Sequence, residues 1–465
     1  MVFSSITFIY YFLPIVLILY FIIPNKLKNL CLLLSSLFFY FYGEGKFLWI
    51  LLLSCIMNFT YGLLIEKYRD KKLSKIVFSI AIISNIGLLM YFKYLNFFID
   101  NLNNIFNVNL KLLNVVMPIG ISFFTFQTLS YIVDVYNNKV KASHNLIDFC
   151  TYVSSFFQLI SGPIVRYRDI EGELKERKYS FEQFGSGVFR VIIGLSKKVL
   201  IANELGALAS SLGGLPDKAV LTYLLIGVSE TLQLYFDFSG YSDIAIGLAK
   251  MFGFHFPENF NYPFIAKSIT DFWRRWHISL STFFRDYVYI PLGGNKKGIL
   301  KHIRNIFIVW FLTGFWHGAS WNFILWGVYF GILLIIEKYF LKSFLDKHRI
   351  FSHVYTLILV FISFIIFNSD SIQEIFVFLK SIFGFNHLPF SNFSTMYYFR
   401  SYFIILICSC ILATPVIKLV KKVFEHKMLK PIGSVLEVGG SILLLVVVTS
   451  FLIDASFNPF LYFRF

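Results

Sequence analysis

Charge is scarce in this chain. Only 15% of its 465 residues are Asp, Glu, Lys or Arg, against about 25% in an ordinary soluble domain. That shortage excludes a string of soluble domains, which would lack the charged surface they need in water, and the high apolar content excludes disorder. Cysteine is sparse too: Cys31, Cys55, Cys150, Cys408 and Cys410, with no C-x-x-C pair. A disulfide scaffold is therefore excluded, and these thiols in or beside apolar runs read as helix packing, not as redox or metal chemistry. With 28 glycines and 12 prolines the chain is not collagen-like. It has no P-loop, no H-E-x-x-H, no G-x-S-x-G elbow and no dinucleotide fingerprint. Nor does it show an internal repeat, a low-complexity tract or a soluble domain.

What it has in quantity is apolar surface. Hydrophobic residues make up 57% and aromatics 20%, with 58 phenylalanines and a mean hydropathy of +0.69. This is the composition of an all-α polytopic membrane protein, read here as a single unit over 1–465. The first apolar run, Ile6 to Ile23, is long enough to span a bilayer. It has neither a basic region before it nor a small-residue cleavage site after it, so it reads as a retained anchor, not a signal peptide. Further runs lie near 30–42, 47–65, 76–94, 146–160, 184–203, 219–238, 304–317, 321–337, 352–368, 400–417 and 436–453. Those interrupted or too short to span read as re-entrant or interfacial, giving about eleven membrane segments in all.

Lys and Arg number 42 against 26 Asp and Glu, a formal charge of +16. The excess sits in short loops between apolar runs, which points to cytoplasmic loops and not to nucleic acid. Lys67, Arg69, Lys71, Lys72 and Lys75 crowd one loop, and Lys418, Lys421, Lys422, Lys427 and Lys430 another. Placing both in the cytoplasm, with one span after the second, puts the tail from Asp454 to Phe465 outside.

The chemistry-bearing residues concentrate in one block. A helix over Asp271–Tyr289 would carry Trp273, His277, Leu280 and Phe284 on one face, with Arg274 and Arg285 elsewhere. Such a segment suits the cytoplasmic interface or a protein-lined cavity. His317 closes an apolar run, with no charged residue between Arg304 and Glu337. An ionisable group there is expensive, and function is its default reading. Imidazole suits general-base work; the alternative is a neutral core histidine bonded to a carbonyl one turn back. Gly314 and Gly318 beside it admit a close approach by substrate or a neighbouring helix. Gln127, Asp134, Gln158, Ser161, Gln233, Asp237, Ser239, Tyr241 and Asp243 also interrupt apolar runs, and together they argue for a polar internal tunnel. The other histidines show no metal-ligand spacing.

Three stretches, FDFSGYSDIAIGLAKMFGF, PENFNYPFIAKSITDFWRRWHISLSTFFRDYVYIPLGGNKKG and FLTGFWHGASWNFILWG, resemble the membrane-bound O-acyltransferases. The resemblance is to their bacterial branch, which O-acetylates alginate and peptidoglycan and, more distantly, D-alanylates teichoic acid. It covers most of 110–330 and rests above all on the DFWRRWH and FWHGASW segments. It implies a ring of membrane helices around a central tunnel, in the cytoplasmic (inner) membrane. His317 is then the catalytic histidine and His277 the second motif histidine. Asp237, Ser239, Asp243, Arg274, Arg275, Trp316, Ser320 and Asn322 become tunnel candidates for donor or acceptor. The donor implied is acetyl-coenzyme A or an acyl-carrier thioester, with no resident cofactor or metal and no nucleic acid. Arg274, Arg275, Lys296 and Lys297 would attract an acidic donor, or else serve as positive-inside anchors.

The ending FLYFRF is similar to a tyrosine-bearing C-terminal motif of cell-surface acylation systems. It implies that Tyr462, in the tail 454–465, accepts the acyl group as a phenolic ester and passes it to an extracellular SGNH-type acetyltransferase acting on a polysaccharide; the alternative is an interfacial anchor. Three rival readings stand beside acetyl transfer: D-alanyl transfer to teichoic acid, a transporter or flippase without bond chemistry, and a scaffold for a secreted transferase.

Overall fold

The computed structural model describes residues 2–424 and 430–454. Its regular structure is helical, with no strand among the described residues. Five helical segments are long and apolar enough to cross a membrane: Asn25–Lys67, Lys72–Phe106, Trp321–Lys347, Arg349–Asn368 and Ile432–Asp454. The bent pair Phe393–Ser401 and Phe403–Leu412 makes a sixth if counted as one span. The chain is thus a multi-pass, all-helical membrane protein. The other apolar runs form shorter or more polar helices, and the run 146–160 is broken at Ser155 into Leu146–Ser154 and Phe156–Leu159.

Two compact units divide the chain. Among the described residues, the first takes those up to Val191 together with Ile244–Pro257, and the second Ile192–Asp243 and those from Glu258 on. In the first unit, α1 (Leu48–Lys67), α2 (Lys72–Leu89) and α3 (Ile121–Tyr136) pack on one another. Water cannot satisfy polar groups at such a contact, so neutral amides do it between helices. Asn58 Nδ2 donates to Asn85 Oδ1 at 3.0 Å, and Asn85 Nδ2 returns a bond at 2.7 Å. Thr128 Oγ1 on α3 adds a third arm to Asn85 Oδ1, at 3.0 Å. Gly62 lets α1 lie against Tyr131; any Cβ there would collide with the phenol hydroxyl.

The second unit holds the residues that sequence reasoning singled out for chemistry. Its helices include α4 (Asn203–Gly213), the part of α5 (Val220–Met251) up to Asp243, α6 (Ile269–Trp273), α7 (Ile278–Phe284), α8 (Ile299–His317), α9 (Trp321–Ile336) and α10 (Arg349–Asn368). Before α4 the backbone widens into a π-helical stretch, Lys197–Ala202. There the buried Lys198 Nζ meets Asp237 at 2.6 Å, and Lys197 Nζ meets Asp243 at 2.6 Å. Gly240, between the two carboxylates, comes so near Gly194 that a Cβ would lie 2.8 Å from its carbonyl oxygen. Small residues on both sides bring the backbones close enough for those lysines to reach.

Candidate active site

His317 is the last residue of α8 and is 5% exposed. Its surroundings follow from how α8 and α9 cross. Gly314 faces the Phe323 carbonyl and Gly327 the Trp310 carbonyl so closely that a Cβ at either would collide. The helices meet backbone to backbone, and the large rings are displaced toward the end of α8. Trp326 stands edge-on to the His317 ring at 4.9 Å, Phe367 at 5.3 Å and Trp316 at 5.0 Å. Asn322 secures this box from below: its Nδ2 donates to the carbonyls of Phe367 (3.2 Å) and Ser369 (2.9 Å) at the end of α10. The glycine at 314 therefore serves a neighbouring helix, one of the two uses the sequence left open.

His277 departs from expectation. One helix over Asp271–Tyr289 would have put it on a face with Trp273 and Phe284; instead the helix stops after Trp273 and restarts at Ile278. His277 occupies the junction with φ +45°, in the left-handed region, a conformation that costs about 1–2 kcal/mol for a non-glycine residue. A cross-chain pairing offsets that cost. Asn261 N–H donates to the Arg275 carbonyl (2.9 Å) and Ile278 N–H to the Asn259 carbonyl (3.0 Å), so segment 259–261 lies alongside 275–278. His277 is fully buried, with Phe238 edge-on at 4.7 Å. Burial pushes its pKa down to about 3, so the imidazole is neutral at any physiological pH. Trp316 joins the two histidines, its ring 6.1 Å from His277 and 5.0 Å from His317.

A cavity of about 1060 Å³ is lined by chain neighbours of the two histidines, Ile278 and Thr313, and by neither imidazole. Its lining carries Lys267, Arg274, Arg285, Lys338, Lys342 and Arg349 against Asp271, Glu337 and Asp346. Two of those acids are already engaged. Glu337 accepts from the N–H groups of Ile269 (2.6 Å) and Thr270 (3.1 Å) at the start of α6, and Asp271 pairs with Arg275 at 2.9 Å. The net field in the cavity is positive. Its inner wall is aromatic: Trp273 and Trp310 line it, with ring centroids 4.5 Å apart. Trp273 also lies 5.5 Å from Trp326, the ring that touches His317. Thr313, one turn before His317, lines the cavity as well. The indole N–H groups of Trp273 and Trp326 are buried with no hydrogen-bond acceptor among the described residues.

The remaining sequence candidates fall into three groups. Arg274 lines the cavity, whereas Arg275 is turned to Asp271 and the Asn261 carbonyl, and Lys296 and Lys297 are exposed. Asp237 and Asp243 are held by Lys198 and Lys197, and Ser239 is buried beside them. Trp316 and Asn322 build the His317 box, while Ser320 caps the turn into α9 without a side-chain capping bond. Tyr462 lies outside the described residues. Sequence reasoning missed Lys197, Lys198 and Asn259. A lysine inside an apolar run, with unmatched acids in the next run, was the available signal for the first two.

Comparison with known proteins places the chain in a family. The model of the membrane-bound O-acyltransferase family matches residues 34–381. A probable alginate O-acetylase, AlgI, of Azotobacter vinelandii is 40% identical over 399 residues, covering 84% of this chain and 80% of its own. The peptidoglycan O-acetyltransferase of Helicobacter pylori is 33% identical over 433 residues, covering 85% and 82%. A teichoic acid D-alanyltransferase of Bacillus subtilis is 32% identical over 241 residues, covering 49% and 61%. With both motif histidines inside the matched region, this chain belongs to the membrane-bound O-acyltransferase family and is an O-acyltransferase.

Proposed function

We propose that this chain takes an acetyl group from a cytoplasmic thioester and passes it across the membrane for O-acetylation of a cell-surface polysaccharide of the alginate or peptidoglycan kind. The observation that carries the reading is the short aromatic path from a cationic cavity to His317. Arg274, Lys267 and Lys342 suit the phosphates of coenzyme A or an acidic acyl carrier. The indole wall suits an apolar thioester arm. The relatives named for alginate and peptidoglycan match four-fifths or more of this chain, while the D-alanyl relative matches 49% of it; this favours acetyl over D-alanyl transfer.

In this mechanism His317 accepts the proton of the attacking hydroxyl as its oxygen adds to the thioester carbonyl. The C–S bond then breaks, and the thiol leaves with the proton that His317 returns. The buried indole N–H groups supply donors for the carbonyl oxygen as it gains charge. His277, neutral and buried, orients donor or acceptor on the far side of Trp316. The first acceptor is the Tyr462 phenol, on a tail outside the membrane; an extracellular SGNH-type transferase then moves the acetyl group to a polymer hydroxyl, releasing the phenol. The whole chain acts as one unit, a ring of about eleven membrane segments around a tunnel in the cytoplasmic membrane. No resident metal or cofactor takes part.

The test is intact mass spectrometry of the purified chain incubated with labelled acetyl-coenzyme A. An acetyl adduct on the tail of the parent, absent from both His317→Ala and Tyr462→Phe, supports the relay. Unimpaired polymer acetylation by a normally inserted His317→Ala chain overturns the catalytic assignment, and by Tyr462→Phe the relay alone.

A further inference from the structure

We propose that Asn259 is a positioning residue that sets the tautomer of His277, keeping the proton on Nδ1 and leaving Nε2 as the basic nitrogen. The inference rests on the reading of His277 as part of the acyl-transfer site. Asn259 is completely buried, in the PENFNYP segment between Pro257 and Pro263. Its backbone and side chain do the work of an N-cap for α7, which its own N-cap residue, His277, does not do. The Asn259 carbonyl takes the Ile278 N–H, and Oδ1 takes the Ser279 N–H at 3.2 Å and the Ser279 hydroxyl at 2.9 Å.

This bonding decides which way the amide points. A backbone N–H can only donate, so the group 3.2 Å from Ser279 N must be the amide oxygen. Nδ2 is then left to donate to Ser242 Oγ on α5, at 3.1 Å. The same oxygen lies 3.2 Å from His277 Nδ1, while the Ser279 hydroxyl, which gives its hydrogen to that oxygen at 2.9 Å, is farther from Nδ1, at 3.5 Å. Two acceptors facing each other at that distance would repel, so Nδ1 carries the hydrogen and donates. In a neutral imidazole the other nitrogen then holds the lone pair. The chain of dependence runs from Ser279, which fixes the amide, through Asn259 to the basic nitrogen of His277. Holding a histidine in one tautomer through a hydrogen bond at its other nitrogen is a strong lever on rate, since the wrong tautomer costs about 10⁴-fold in a hydrolytic triad.

Nitrogen NMR of the full chain in lipid nanodiscs, with ring-labelled histidine, reads the tautomer directly; a His277→Gln sample identifies the His277 signals. The parent should show a protonated Nδ1 and an unprotonated Nε2. Asn259→Leu should lose that preference. Asn259→Asp places a carboxylate at the same oxygen, which should draw a second proton onto His277 near neutral pH and lower acyl transfer by about 10²–10⁴-fold. A parent with Nε2 protonated overturns the proposal, as does a parental pattern that persists in Asn259→Leu. If Asn259→Leu does not fold, the parent and Asn259→Asp spectra decide alone. Full acyl transfer by His277→Gln would instead overturn the role of His277 in the reaction, a separate failure that the tautomer signal does not register.

Discussion

His317 and His277 flank one indole ring, yet the chain secures them by opposite means. His317 ends a regular helix inside a close set of rings, with Trp326, Phe367 and Trp316 around it and Asn322 tying the box to α10. His277 interrupts a helix, takes a left-handed backbone, and is held by hydrogen bonds from a segment 18 residues earlier. Edge-on rings fix where an imidazole points, whereas an amide oxygen beside Nδ1 also bears on which nitrogen carries the proton.

The largest effect that tests this contrast is on rate. His317→Gln keeps most of the volume of the ring and should lose about 10²–10⁴-fold in acyl transfer. Its melting temperature in detergent should stay within a few degrees of the parent, and a large drop would mean that the box depends on the imidazole. Next comes His277→Leu, which strips the Asn259 oxygen of one donor and replaces a polar ring by an apolar group. It should cost about 1–3 kcal/mol of stability, read from thermal unfolding, in addition to any loss of activity. Equal stability costs for the two histidine variants would break the comparison.

A smaller effect is specific to His277. Its pKa is near 3 in the folded chain and ordinary, 6.5, in the unfolded one, so between those values the unfolded state binds a proton that the folded state does not. Its contribution to stability is therefore complete above about pH 6.5 and declines as pH falls toward the folded value. His277→Gln should show a shallower acid decline than the parent when unfolding is followed from pH 7 downward. The smallest change is expected for Trp326→Phe, which keeps an aromatic edge against His317 but removes the indole N–H. That change is in stability, about 1 kcal/mol or less, whereas kcat should fall by about 10²–10³-fold with little change in KM if that N–H serves the developing oxyanion.

Much of the candidate site was legible in the sequence because its signals are local. An imidazole closing an apolar run, and a second one amid paired arginines, stand out within one window, and the helical class follows from composition. Contacts between distant segments were not legible. Lys198 meets Asp237 across 39 positions and Asn259 meets His277 across 18, and periodicity says nothing about such pairs. The break at His277 was hidden for a related reason. FWRRWHIS contains no Gly or Pro to mark it, and only the pairing with 259–261 makes the left-handed residue tolerable. The count of membrane segments depends on tertiary context as well, since α5 carries Glu230, Asp237 and Asp243 within otherwise apolar sequence.

The two lysines of the π-helical stretch act on α5 like the pins of a plug. Lys197 and Lys198 are neighbours, while their sockets, Asp243 and Asp237, are six residues apart, so one alignment of the segments seats both. Slipping by a residue, or changing one of the four side chains, strands a charge in a buried contact, at a cost of about 3–5 kcal/mol when a fully buried partner is lost. Replacing a whole pair by apolar residues is far milder. Ser242, which binds Asn259, sits beside the Asp243 socket. These four positions are therefore expected to change in couples as the protein diverges, because the pins that hold α5 in register also set the height at which His277 is suspended.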